Sequence, residues 1–258
     1  MSPATSMQDV LNFSLAPDEA GLWFLGQSGF ILRAGSVTVV IDPYLSDSVS
    51  KSVPELTRLY PPPIKPEELQ VDVFLVTHDH LDHLDPETIA PYPYKQQTMF
   101  VAPRLAARKL FALGVPEHNL AVIDSGIMRT VRGIEIAGVY ALPNEPAVID
   151  AAGYHLTFVN GRSVYHSSDT GFSEVLLAAV PQAEVALLCI NGKCGNMDAA
   201  QAARIAAQVQ AKIALPHHYD MFALNAENPR ALGYQLKSLN PAIQTPILEI
   251  MTPLVWSG

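Results

Sequence analysis

Cysteine is scarce: Cys189 and Cys194 are the two in 258 residues. Two thiols cannot build a disulfide framework, and they lack the paired spacing of a zinc ribbon. They read as free thiols in a reducing cytosol, so a cytoplasmic protein is expected. Basic residues also run short, 16 Lys and Arg against 25 Asp and Glu, for a formal charge of −9. An acidic chain repels a phosphate backbone, which argues against nucleic acid as a partner. Long apolar runs are absent: "VALLCI" (185–190) falls far short of the roughly 18 residues a membrane helix needs. The first twenty residues have no basic start and no apolar run behind it, so they do not read as a secretory signal. Hydrophobic residues nevertheless make up 49% of the chain and charged residues 16%, enough for a sizeable core. A single domain over 1–258 is expected, acting on a small molecule.

The first half reads as short strands: "GLWFLG" (21–26), "GFILRA" (29–34) and "VTVVID" (37–42), separated by turn residues, then a buried strand "VDVFLVT" (71–77). Pro103 and Gly114 bracket a helix. A second series follows, with strands at 133–142, 153–159 and 162–167, the last two joined by an Asn160-Gly161 turn. A buried strand at 183–190, a helix at 197–212 capped by Asp198 and Gln201, a strand at 213–216 and a helix at 227–239 complete it. The two halves repeat one pattern, which two sheets packed face to face with helices outside would bury. The proline-rich segment 43–70 fits no period, and its ends flank Asp42 and the histidines described next; it reads as a substrate-covering loop.

The densest chemistry is "THDHLDHLD" (77–85), three histidines and three aspartates in nine residues at the end of an apolar strand. Residues two apart in extended chain point the same way, so His78 and His80 can grip one ion; Asp82 and His83 can face a second. Nitrogen and oxygen donors without thiolate suit a catalytic Zn²⁺, Mn²⁺ or iron site rather than a closed structural zinc. Asp85 before Pro86 is a helix cap. Two other strand ends offer more ligands: Asp169 in "YHSSDTG" (165–171) and the pair His217, His218 in "ALPHHYDMF" (214–222).

H-x-H-x-D-H after a buried strand, an aspartate in an S-D-T turn, and a late P-x-H together resemble the metallo-β-lactamase-fold hydrolases. "VVIDPYL" around Asp42 resembles that family's first motif. "CINGKCGNMDAAQAA" and "PHHYDMF" resemble the branch that includes L-ascorbate-6-phosphate lactonase. The resemblance implies a four-layer αβ/βα sandwich of two mixed sheets with helices on the outer faces. It implies one or two divalent ions, Zn²⁺ or Mn²⁺: His78 and His80 on one, Asp82 and His83 on the other, Asp169 between them, and His218 as the late histidine. Asp42 would orient a ligand histidine, and His217 would touch substrate or a ligand. Apart from the resemblance, His166 just before Asp169 is read as packing behind it, and Asn191 and Lys193, after a strand end, as lying at the same rim. One family histidine is missing: Asn144, with Glu145 beside it, stands near its place. Relatives are often homo-oligomers, so a homo-oligomer is admitted here.

A bound divalent cation lowers the pKa of water to about 7 and polarises an acyl or phosphoryl oxygen. Hydrolysis then needs no serine or cysteine nucleophile, and Asp82, Asp169 or the metal-bound water itself can carry the proton. The branch resemblance points to a small lactone or ester, with an anionic one admitted. Three other readings compete. A phosphodiesterase would use the same metals but want a basic groove. A di-iron redox protein would carry a glutamate where His80 stands. A non-catalytic relative would bind metal through a degraded first site.

Overall fold

The computed structural model describes residues 2–142 and 149–258. The chain starts with a short helix, α1 (Met7–Asn12), closed by a Ser6/Asp9 capping box. Strands β1 (Ala20–Gly26), β2 (Gly29–Ala34) and β3 (Val37–Ile41) form an antiparallel meander. Helix α2 (Ser48–Ser52) lies in the proline-rich segment. Then come β4 (Val73–Leu75), α3 (Pro86–Ile89), β5 (Met99–Ala102), α4 (Arg104–Ala112) and β6 (Leu120–Val122), with β3 to β6 parallel. The second half repeats the plan. Strands β7 (Met128–Val131), β8 (Ile134–Tyr140), β9 (Ala152–Thr157) and β10 (Ser163–His166) are antiparallel. Helix α5 (Glu174–Ala179), β11 (Val185–Cys189), α6 (Ala199–Val209), β12 (Ile213–His217) and α7 (Ala231–Leu239) follow, with β10 to β12 parallel. Strand β13 (Pro253–Trp256) returns to the first sheet beside β1. The sheet orders are β13-β1-β2-β3-β4-β5-β6 and β12-β11-β10-β9-β8-β7.

Side-chain alternation explains the layers. Along β1, Leu22 and Phe24 face the core shared with the second sheet, with Tyr154, Leu156 and Val164. Trp23 and Leu25 face the other way, onto Met7 and Val10 of α1 and, beyond them, Ala106 and Leu110 of α4. The second sheet's far side takes the apolar stripe Ala202, Ile205, Ala206 and Val209 of α6. The expected four-layer sandwich is therefore the observed one. Asp198 and Gln201 form the predicted capping box of α6. The β9–β10 connection closes with Gly161 N–H donating to Phe158 O, Gly161 taking φ +81.

Some boundaries differ. The strand read at 71–77 is regular only over Val73–Leu75, because the chain leaves the sheet as it enters the histidine stretch. The last helix starts at Ala231 rather than 227, because Pro229 disfavours helical backbone at Asn228. Strands β5, β6, β7 and β13 and helices α1, α2 and α5 had no sequence reading, α2 lying in the segment read as a loop. The strands are four residues or fewer, and β6, β7 and β13 are edge strands with little alternation to read.

Candidate metal centre

The parallel strands of both sheets end on the same side of the molecule. Asp42 follows β3, the histidine stretch follows β4, Asp169 follows β10 and His218 follows β12. Open α/β sheets hold ligands at such carboxyl ends. The backbone is bent there: Gln27, Asp42, Ser168 and His218 all have φ between +42 and +61. Such non-glycine conformations cost ~1–3 kcal/mol each and persist where surrounding structure imposes them, commonly at functional sites.

Asp42 sits behind the cluster, fully buried. Its carboxylate accepts the Thr77 N–H at 2.8 Å, the Thr77 hydroxyl at 2.6 Å and His83 Nδ1–H at 2.7 Å. These bonds fix two tautomers. His83 spends its Nδ1 proton on Asp42, so Nε2 is its free nitrogen. The Thr77 hydroxyl donates to Asp42 and therefore accepts from His78 Nδ1, 3.0 Å away, leaving His78 Nε2 facing His80 Nδ1 at 3.0 Å. Asp42 thus stands where the sequence expected it, orienting a histidine of the cluster.

Four predicted residues converge. His83 Nε2 lies 3.7 Å from Asp82 Oδ2 and 3.5 Å from Asp169 Oδ1. His218 Nε2 lies 3.5 Å from Asp82 Oδ2 and 3.0 Å from Asp169 Oδ2. Two groupings have ligand atoms close enough to hold an ion: Asp82, His83 and His218, and His78, His83 and Asp169. His80 is half-buried and faces the cleft beside them.

The electrostatics explain why a cation fits. Burial works against charge on every member. Even so, the His218 and His83 charges hold Asp169 well below the carboxylate range, and His83 and His218 likewise lower Asp82. In return, and again against burial, Asp169 foremost keeps His83 protonated well above the usual histidine range and lifts His218 to about 9. Three carboxylates, counting Asp42, face two imidazoliums, so the cluster is short of positive charge. His83 Nε2 and Asp169 Oδ1 are buried and find no hydrogen-bond partner. Buried polar atoms are rarely left so, and a cation between them would satisfy both. His78 behaves differently: burial and the His83 charge push it down to about 3, leaving a neutral ring.

Three amides that the sequence did not single out complete the centre. Gln27 Nε2 donates to Asp82 Oδ2 at 2.7 Å and lies 3.1 Å from His218 Nε2, while Gln27 O accepts the His218 N–H. Asn196 Nδ2 donates to Asp169 Oδ2 at 2.9 Å. The Asn225 amide lies 2.8 Å from His218 Nδ1. An imidazolium, or a ring offering Nε2 to a cation, carries a proton on Nδ1, so the Asn225 oxygen belongs on that side. The signal for Gln27 was its place in "GQSG", a tight turn between two buried strands.

The remaining site residues divide. His217 does not line the cleft. It is buried, with Nδ1 3.1 Å from Ser28 Oγ and its ring stacked on His166 at 4.5 Å, and burial keeps it neutral. The expectation that it touches substrate is corrected here: β12 still runs through His217, whose side chain points back into the sandwich. His166 is buried too, accepting Ser168 N–H and lying 3.1 Å from Ser28 O, behind Asp169 as expected. Asn191 is buried rather than at the rim, its amide 2.9 Å from the other end of the Asn225 amide; with the Asn225 oxygen on His218, the Asn225 nitrogen donates to the Asn191 oxygen. Lys193 is at the rim, its Nζ on Ala226 O at 2.9 Å. Asn144 and Glu145 lie outside the described residues.

The comparisons with known proteins agree with this geometry. The family described as the beta-lactamase superfamily domain matches residues 37–219. A UPF0173 metal-dependent hydrolase of Aeropyrum pernix is 30% identical over 245 residues, covering 89% of this chain and 95% of that protein. One from Methanopyrus kandleri is 28% identical, covering 88% and 95%. Among solved structures, a metallo hydrolase of Ignicoccus hospitalis aligns with a TM-score of 0.73 at 21% identity, over 93% of this chain and 99% of that one, a likeness of fold. The chain belongs to the beta-lactamase superfamily and, within it, to the UPF0173 metal-dependent hydrolases.

Proposed function

We propose that this metal-dependent hydrolase opens a small lactone or ester, using one tightly held divalent ion, Zn²⁺ or Mn²⁺, at Asp82, His83, Asp169 and His218. The observation that carries the reading is the pair of buried, unsatisfied atoms, His83 Nε2 and Asp169 Oδ1, aimed at one another across 3.5 Å. His83 has a single free nitrogen, so it serves one ion, and His78 with His80 would hold a second more weakly. Such a cation supplies a water acidified to about pKa 7 and a Lewis acid for an acyl oxygen.

The chain's own groups do the rest. Asp42 fixes the His83 ring. Gln27 and Asn196 hold the carboxylates of Asp82 and Asp169 in place. The Asp82 side chain is the more exposed of the two, 16% against 6%, and is the carboxylate that exchanges a proton with the leaving oxygen. The lactone or ester preference rests on the "CINGKCGN" and "PHHYDMF" motifs. A phosphodiesterase is disfavoured because Lys193 is the one Lys or Arg among the described residues lining the cleft. On this reading the substrate is a free small molecule.

The test is a panel of lactones, carboxylic esters and phosphodiesters, assayed with Zn²⁺ or Mn²⁺ and after chelation. Turnover of lactones or esters that chelation abolishes is expected. Turnover confined to phosphodiesters overturns the reading.

A further inference from the structure

The candidate metal centre forms the floor of a cleft of about 370 Å³, and the wall above it is of another kind. Val49, Val53 and Leu56 come from the segment after β3, and Phe222 and Leu224 from the segment after β12. Val49 and Phe222 are buried with Tyr44 and Met221 in an apolar cluster separate from both faces of the first sheet, and Leu56, Tyr60 and Leu81 pack on it. Val53 and Leu224 are 42% and 62% exposed, so they stand at the mouth. An apolar path therefore runs from the floor to solvent.

The wall is fixed in place. Arg58 pairs with Phe222 in an isolated antiparallel bridge, and Leu59 N–H donates to Met221 O at 2.9 Å. The Arg58 guanidinium lies over the Tyr44 ring at 5.0 Å and donates to the carbonyls of Tyr44, Ser46 and Tyr60. Charge agrees with this: a polyanion would meet Asp82 and Asp169 with, among the described residues lining the cleft, a single lysine opposite, and Lys193 is already engaged by Ala226 O.

Resting on the hydrolytic reading above, we infer that the group carried by the substrate beside its reacting carbonyl is a short aliphatic chain. It lies along Val49, Leu56 and Phe222 and emerges between Val53 and Leu224. Each methylene buried on the wall strengthens binding about fourfold, and the gain ends where the chain reaches solvent.

Two measurements on the Zn²⁺- or Mn²⁺-loaded full chain test this. The first is kcat/KM for p-nitrophenyl esters from acetyl to octanoyl. The second is the calorimetric Kd of straight-chain hydroxamates of the same lengths, which needs no turnover. Both series should improve several-fold per step over the first few methylenes and then level off. Val53→Asp with Leu224→Asp, at exposed positions that carry no folding load, should flatten the upper half of both series, and Phe222→Ala the lower half. Turnover or affinity that is flat or falls with chain length overturns the inference and leaves the hydrolase reading standing. No turnover of any ester, with hydroxamate affinity still rising with length, overturns the hydrolase reading and keeps the apolar wall.

Discussion

His83 Nδ1 and Asp42 Oδ2 stand 2.7 Å apart with both side chains buried from solvent. The pair links the end of β3 to the histidine stretch after β4 and decides which nitrogen of His83 is free. Asp42→Asn keeps the shape but removes the acceptor charge. Partners of this kind typically contribute ten- to a hundred-fold to metal affinity. The variant should fold, as judged by circular dichroism, and lose about that factor in a chelator competition. An unchanged affinity would remove Asp42 from the centre.

Cation binding should be coupled to protons. In the chelated protein His218 keeps its proton to about pH 9, and His83 is raised in the same direction. Both must release protons to bind, so about two protons should leave per ion, and apparent affinity should rise steeply from roughly pH 6 towards 9. Calorimetry in buffers of different ionisation enthalpy counts the protons. The stability of the chelated protein runs the opposite way. A histidine whose folded pKa lies above its unfolded one stabilises fully below about pH 6.5, and that contribution is lost as pH climbs through about 9.

Sequence legibility followed local chemistry. His78, His80, Asp82 and His83 announced themselves because the donors lie within six residues of one another after an apolar strand. Asp169 and His218 were readable because each ends a buried strand. Gln27, Asn196 and Asn225 were not, since an amide in a turn is ordinary until folding brings segments up to about 190 residues apart into contact. His217 was misread for a related reason: neighbours at a strand end point to opposite sides, and only His218, at φ +61, turns to the cleft. The sandwich itself was legible from repeated buried strands, whereas edge strands such as β7, three of its four residues exposed, offered no apolar pattern.

The wall of the cleft hangs on Asp85. Its carboxylate accepts the Ser48 hydroxyl at 2.8 Å, the Glu87 N–H at 3.0 Å and the Thr88 hydroxyl, joining α2 to the start of α3. Asp85→Ala removes the cap and leaves buried hydroxyls unpaired, costing about 2 kcal/mol. Thermal unfolding should begin roughly 4–8 °C lower.

Arg58→Met should loosen the same wall without touching the metal cluster, because it deletes the guanidinium bonds to Tyr44, Ser46 and Tyr60. The expected signature is faster proteolysis within 47–60 and a raised KM for longer esters. Metal content should stay at the wild-type level.

The most direct measurement is an anomalous difference map, recorded at the metal edge, from crystals loaded with Zn²⁺ or Mn²⁺. The expected result is a strong peak about 2.0–2.2 Å from His83 Nε2 and His218 Nε2 and from the carboxylates of Asp82 and Asp169, lost in His218→Ala crystals. A map in which those four side chains keep their places with no peak between them, or with the ion bound elsewhere, would contradict it.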